Sequence, residues 1–402
     1  MSHYDVVIAG AGPAGSASAC RLVRAGLRVA LVDRASFPRD KVCSEYMSPE
    51  GVRHLAALGA LDRVEAAGGQ AIRGTTVHAP RGSRLTGLFA RAGHAPFRDT
   101  GLSVPRRILD QALVESARAA GAELFERHLV CDVLREGATV RGLLVRTAGG
   151  RLRELTAPLT IGADGLRSVV ARELGRRRTG PLRRYALVAH LTEVAGLGDT
   201  AEMHVSARGY VGLNPLGNGI ANVALVLPHD AMRQARGRVR HFFFEALAQF
   251  PEVAARIRGS RVVREVLVSG PFGAWSSRIT TPGAVLVGDA ADFFDPFTGE
   301  GICAALRGAE LIEATLLPSL TRGAVPGAAA LRAYRRARRR AFLGKWTVER
   351  AIGYAMLAPA LFDRAVARLE RHGLAHTLIG VTGDFVPPRA VLNPLFLSRV
   401  MF

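Results

Sequence analysis

The chain has 402 residues, 49% hydrophobic and 22% charged, a composition that leaves room for one large or two medium cores and excludes a disordered chain. Its formal charge of +20 is carried by arginine, with Lys41 and Lys345 the only lysines; without interleaved aromatics or a binding motif, no nucleic acid partner is expected, and the field suits a membrane surface or an anionic cofactor. Cys20, Cys43, Cys131 and Cys303 stand far apart with no Cys/His cluster, so neither a metal site nor a disulfide framework is indicated.

The opening MSHYDVVIAG lacks the basic and apolar regions of a secretory signal, and the cytoplasm is the expected compartment. DVVIAGAGPAGSASACRLVRAGLRVALVDR then reads as an apolar strand, a glycine turn, a small-residue helix and a second apolar strand ending at Asp33. Gly10 permits the tight turn, Gly12 lets the backbone approach a diphosphate, and Gly15 lets helix pack closely on strand. Pro13 and Ala14 lie between them, where the helix start offers N–H donors and a positive dipole end. Asp33, followed by Arg34, is placed to accept hydrogen bonds from a ribose. The spacing predicts a dinucleotide-binding unit.

Next comes FPRDKVCSEYMSPEG, and then SVPRRILDQALVESA, in which Arg106 heads an amphipathic helix and is suited to pair bidentately with phosphate. APLTIGADGLRSVVARELG places Asp164-Gly165 after a buried strand, with a helix starting near Ser168. Alternating runs such as YALVAHLTEV, AEMHVSA, GYVGLNP and IANVALVL predict an antiparallel sheet flooring a substrate cavity, and RHFFFEALAQFPEVAARI reads as a helix. GAVLVGDAADFFDPFTGEGICAAL repeats the strand-then-carboxylate arrangement with Gly288-Asp289. Beyond residue 326 the chain turns helical; AALRAYRRARRRAFLGKW is read as a solvated basic face, with a peripheral membrane contact as the alternative. AIGYAMLAPALF is broken by Pro359 and too short to span a bilayer.

The set GAGPAG, GADGLRS and GDAADFFDPFTGEG, spread from residue 4 to about residue 312, resembles the FAD-binding fingerprints of the para-hydroxybenzoate hydroxylase and geranylgeranyl reductase superfamily. The resemblance implies FAD as cofactor. Asp33 then stands as the adenosine-ribose ligand, Arg106 beside the phosphates, Asp164 in the motif closing over them from the far side, and Asp289 as the ribityl ligand. Pro296, Gly299, Glu300, Gly301 and Ile302 would form the turn and helix start beside the flavin ring. The expected fold class is α/β, with a Rossmann-like FAD-binding domain (residues 1–75, 103–180 and 270–325). An inserted antiparallel-sheet substrate domain (76–102 and 181–269) and a helical C-terminal region (326–402) complete it.

KVCSEY is similar to the KxCGG segment of geranylgeranyl reductases, and GYVGLNPLGNGIANVALVL to their GYxWxFP stretch. Ser44 and Glu45 replace the two glycines, while Gly212 and Asn214 replace the aromatic and an apolar residue. Cys43 is a candidate ring-side thiol, or else a small buried hydrophobe. Tyr46 and Tyr210 are candidate donors to a substrate oxygen, or else packed phenols. The altered glycines favour a monooxygenase that hydroxylates or epoxidises an apolar aromatic, polyketide or lipid-like secondary metabolite through a flavin C4a-hydroperoxide. The alternative is a reductase of carbon–carbon double bonds; the remote one is a non-catalytic flavin-binding protein. With no second dinucleotide fingerprint, electrons would come from NAD(P)H docking transiently or from an external reductase.

Overall fold

The computed structural model describes residues 2–175, 177–235, 237–320 and 324–401. Val6–Ala9 is fully buried, as a strand covered on both faces must be, and so it reads as an unbroken apolar run. It lies inside a six-stranded sheet in the order Thr280–Thr281, Ala284–Leu286, Leu159–Gly162, Val6–Ala9, Val29–Val32, Glu123–Phe125. Every neighbour pair is parallel except the first, and Ile8 sits in register between Ile161 and Leu31. Successive side chains point to opposite faces. Val6 and Ile8 therefore join one core with Leu22, Leu109, Leu306 and Ile312, from the helices Pro13–Arg24, Arg106–Ala120 and Gly301–Leu320. Val7 and Ala9 join another with Leu143, Val145 and Leu155. That second layer is a four-stranded sheet of Ser2–His3, Leu152–Thr156, Thr139–Arg146 and Leu129–Glu136.

A seven-stranded sheet runs in the order Val262–Ser269, Arg184–Thr192, Ile220–Pro228, Gly209–Pro215, Thr200–Ser206, Gly74–His78, Arg84–Leu88. It is not wholly antiparallel as expected, because Thr200–Ser206 pairs in parallel with Gly74–His78. Those two strands lie far apart in the chain, so no hairpin fixes their direction. One face packs Leu187, Val211, Leu213 and Val223 against Phe242, Phe243 and Val253. The stretch expected as one helix here is two, Val239–Leu247 and Pro251–Arg256. Pro251 cannot continue a helix and instead starts the second.

The other face packs Ala186, Val188, Tyr210 and Val226 against Phe272, Phe293 and Phe297 and against the C-terminal helices Ala328–Ala355 and Pro359–Arg371. The basic helix is not simply a solvated face. Arg332, Arg335, Arg336, Arg339 and Arg340 are exposed, but Arg338 and Lys345 are buried. Arg338 is paired with Asp292, and Lys345 faces the charges of Asp384, Glu300 and Glu349. Among the described residues, no helix is long and apolar enough to cross a membrane.

Candidate active site

Three glycine-bearing motifs meet over one helix start. Gly10 has φ +93°, and a Cβ there would stand 2.6 Å from Ala163 O and 2.7 Å from the Asp164 Cα. A Cβ on Gly15 would stand 1.8 Å from Gly10 O, so helix Pro13–Arg24 touches the turn that it follows. On the far side, the Cβ position of Gly288 is 3.1 Å from the Ala14 Cβ. The parallel sheet thus gathers GAGPAG, GADG and GDA at the carboxyl ends of neighbouring strands, where open α/β sheets bind dinucleotides.

The carboxylates around this turn have more than the work the sequence suggests. Asp33 accepts from Ala11 N through Oδ2 and from Ala35 N through Oδ1, both at 2.9 Å, so it fixes the glycine turn and keeps spare lone pairs for a hydroxyl. Asp164 turns away from the turn. It accepts from Ser168 Oγ (2.5 Å) and Val169 N (2.7 Å), at the start of Val169–Glu173, and burial raises its pKa. Burial pushes Asp289 up to about 6, against the pull of Lys41 and Arg106.

Arg106, expected beside the phosphates, is the first residue of its helix and is 8% exposed. Its Nε and Nη2 donate to Asp110 Oδ1 and Oδ2 at 2.8 Å each, so the fork is already held by a carboxylate four residues on. Burial opposes its charge, yet Asp110 and Cys43 hold its pKa above the usual value. Arg106 Nη2 and Arg39 Nη2 lie 3.9 and 3.8 Å from the Cβ position of Gly12. Lys41 is exposed, yet its pKa is lowered, by partial desolvation of its ammonium first and then by repulsion from Arg106, Arg39 and Arg34. Positive charge is therefore in surplus at the mouth of the turn, as a site for a diphosphate requires, and these residues fit FAD.

The end expected to face the flavin ring is built differently. Ser44-Glu45 replaces a glycine pair, and Glu45 takes φ +60°, the left-handed conformation that glycine favours. Four neighbouring strands place Arg264, His190, Asn222 and Asn214 in a row, each the cross-strand partner of the next. The row holds the Cys43–Glu45 loop. Asn222 Nδ2 donates to Cys43 O (2.9 Å), and Asn214 Nδ2 donates to Ser44 O (3.0 Å). A 2.6 Å bond joins His190 Nε2 to Glu45 Oε2, and Arg264 Nη1 stands 3.5 Å from Glu45 Oε1. Arg106 N also donates to Glu45 Oε1, at 2.9 Å. Glu45 is fully buried, so this loop is anchored from the sheet on one side and from the helix on the other.

Burial raises the Cys43 thiol, while the neighbouring Arg106 guanidinium lowers it in part. Opposite the loop, Gly299 N donates to Pro296 O (2.9 Å), and helix Gly301–Leu320 starts two residues later with Ile302 in the core. A Cβ on Gly299 would meet the Tyr46 ring at 2.8 Å and Ser44 Oγ at 3.4 Å. The expected ring-side turn thus faces the Cys43 loop.

Not every candidate points into this space. Glu300 Oε2 accepts from Ser48 Oγ (3.1 Å), and burial pushes its carboxyl to about 7 against the pull of Lys345. Tyr210 OH donates to Asp295 Oδ1 (2.7 Å), whose other oxygen pairs with Arg184 Nη1 (2.7 Å). Tyr46 is buried beside Phe89, and its phenol is raised well above its usual range by that burial and by the Glu300 charge. Sequence reading assigned no role to Arg39, Lys41, His190, Asn222 or Arg264. Ser44, Glu45 and Asn214 gave a signal as departures from a pattern, and Lys41 and Asn222 lay within the two segments that resemble the reductase pattern.

Among the described residues, His78, Glu202 and His204 form a group with metal-ligand atoms close together. The group is filled by its own partners. Arg256 holds Glu202 through Nη1 (2.5 Å) and Nη2 (3.0 Å), and the two imidazoles stack at 4.1 Å and 12°, so their in-plane lone pairs do not converge.

Residues 3–345 match the family model described as FAD binding domain. The chain belongs to this family. It is 30% identical to a menaquinone reductase of Mycolicibacterium smegmatis over 316 residues, covering 75% of this chain and 73% of that one. It is 32% identical to a digeranylgeranylglycerophospholipid reductase of Methanothrix thermoacetophila over 313 residues, 75% of each chain. The solved myxobacterial chondrochloren halogenase, described as FAD-dependent, shares the fold at a TM-score of 0.82 and 22% identity, over 100% of this chain and 95% of the other. The FAD-binding chain is an FAD-dependent oxidoreductase of the para-hydroxybenzoate hydroxylase and geranylgeranyl reductase superfamily.

Proposed function

We propose that this FAD-dependent oxidoreductase reduces a carbon–carbon double bond in an apolar lipid- or quinone-type molecule. The observation that carries the reading is the backbone of Glu45. Its departure from glycine favoured oxygenation when read from sequence, but at φ +60° it keeps the glycine conformation, and its side chain is anchored by Arg106 N and His190. A loop that retains its shape supports the chemistry named for the reductases that match three quarters of the chain.

Bound FAD would supply the hydride. Asp33 and Asp289 would hold its two ends, with Arg39 and Lys41 on the diphosphate and Arg106, its fork held by Asp110, adding charge beside them. The protein's own contribution is a proton and a dry cleft. Burial keeps the Cys43 thiol protonated at neutral pH, so it is poised to give that proton to the second carbon, and Arg106 would stabilise the thiolate left behind. Tyr210 is a poorer donor, because its hydroxyl already donates to Asp295. Electrons reach the site from NAD(P)H or from a separate reductase. Exposed Leu343, Leu361, Leu395 and Leu397 on the C-terminal helices, and Leu357 in the turn between two of them, support a peripheral contact with the membrane that holds such a substrate.

The test is anaerobic. Protein reduced with dithionite and mixed with a menaquinone or a geranylgeranyl lipid should return product with two added hydrogens. Cys43→Ser should slow that step about 100-fold with FAD content unchanged. Product that carries oxygen and forms only when oxygen is admitted would overturn the reading.

A further inference from the structure

A second cavity, of about 1150 Å³, opens between helix Ala328–Ala355 and the segment 274–282, outside the flavin cleft. It is walled by Arg278, Arg332, Arg335, Arg338, Arg339 and Arg350, with Asp292 the one carboxylate among the described lining residues. We propose that this cavity binds an organic diphosphate, with its phosphates on the arginines and its flat or apolar body against the aromatic rim.

Charge argues first. Of the six arginines, only Arg338 forms an ion pair among the described residues, with Asp292. Like charges that share the walls of one cavity are relieved when an anion joins them, and a guanidinium presents a planar fork that fits phosphate oxygens. The second argument is preorganisation. Arg338 is 6% exposed, and its Nε lacks a hydrogen-bond partner. Its guanidinium carbon lies 5.1 Å from the ring centres of both Phe342 and Trp346, and that of Arg350 lies 5.2 Å from Phe294 and 6.0 Å from Trp346. The rings cover the guanidinium faces, Asp292 takes Nη2 of Arg338 and Trp346 O takes Nη1 of Arg350; the forks are thereby fixed, with Arg338 Nε left for a ligand, so little rotamer freedom remains to be lost on binding.

Size and surface give the ligand class. Drug-sized ligands sit in pockets of about 300–1,000 Å³, so this cavity is too large for a lone inorganic ion. Trp275 and Tyr354, 41% and 48% exposed, offer flat surfaces beside the arginines. A diphosphate bridging two flat heterocycles, as in a nicotinamide dinucleotide, and a prenyl diphosphate share the required chemistry. The site stands on its own residues and does not depend on the double-bond reading.

The sequence provides its own probe, for the chain has two tryptophans, Trp275 and Trp346, and both line this cavity. Tryptophan fluorescence of the FAD-loaded protein would be titrated with inorganic pyrophosphate, NADP⁺ and farnesyl diphosphate. The expected result is a saturable change with at least one organic diphosphate at a lower concentration than pyrophosphate needs; whichever binds tighter names the source. Arg332→Gln, Arg335→Gln and Arg339→Gln together should weaken it at least tenfold. Arg336→Gln with Arg340→Gln, on the same exposed helix but outside the cavity, should leave it unchanged. No saturable change with either organic ligand, no preference over pyrophosphate, or equal weakening in the control pair would overturn the proposal.

Discussion

The two ends of the proposed flavin cleft are built by opposite means. At the phosphate end the working parts are backbone: the turn Gly10–Gly15, the start of helix Pro13–Arg24 and the close approach of Ala163 and Ala14. At the redox end they are side chains from distant segments, with Arg264, His190, Asn222 and Asn214 lined up across four strands to hold one three-residue loop. A backbone site tolerates almost no added atom but needs few particular side chains. A side-chain site tolerates changes of backbone residue, as Ser44-Glu45 shows, provided that the new groups find partners.

The contrast breaks first at Gly15. Gly15→Ala places a methyl 1.8 Å from Gly10 O, a backbone atom that cannot step aside. The expected outcome is protein purified without flavin absorbance and destabilised by about 3 kcal/mol or more in urea. A yellow Gly15→Ala protein with native stability would show that the turn is not the tight element described.

Glu45→Gln probes the other end. It keeps the shape but removes the charge that faces Arg264 and His190, and breaking a buried pair from one side costs roughly 3 kcal/mol. FAD should still bind, because the glycine turn is untouched and the amide oxygen can still accept from Arg106 N. A change below about 0.5 kcal/mol in urea unfolding would mean that the sheet does not anchor the loop electrostatically.

Glu300 gives the smallest effect and sharpens the comparison, since it lies behind the ring-side turn. Its folded carboxyl sits at about 7 against an ordinary 4.5, so the native state binds the proton more tightly than the unfolded chain does. Its contribution to stability is therefore fully present below pH 4.5 and is lost as the pH rises through 7. Glu300→Gln should flatten that part of the stability profile by roughly 2 kcal/mol, measured by urea unfolding between pH 4.5 and 7.5. An unchanged profile would assign the slope to other groups.

Two departures from the reductase pattern, noticed separately in the sequence, prove to touch. Asn214 stands where an apolar residue is usual, and its amide donates to the carbonyl of Ser44, which stands where glycine is usual, 170 residues away. The sequence shows both substitutions but not their contact, because contact depends on how strand Gly209–Pro215 registers against its neighbours. Pro251 was a local signal that the periodic pattern concealed, whereas the parallel pairing at Gly74–His78 has no local signal.

By itself the sequence determined the glycine turns, the buried strands, the helix starts at Gly301 and beside Ser168, and a dinucleotide as the ligand class, which the family resemblance narrowed to FAD. Each of these is a constraint on a short run of backbone, and such constraints leave their residues in order along the chain. Only the tertiary structure decided that Arg106 is already paired with Asp110, that Tyr210 is bonded to Asp295, and that Glu45 is the hub on which Arg106, His190 and Arg264 converge. Buried charges take their roles from the partners that folding brings within hydrogen-bond reach, and those partners lie on other elements.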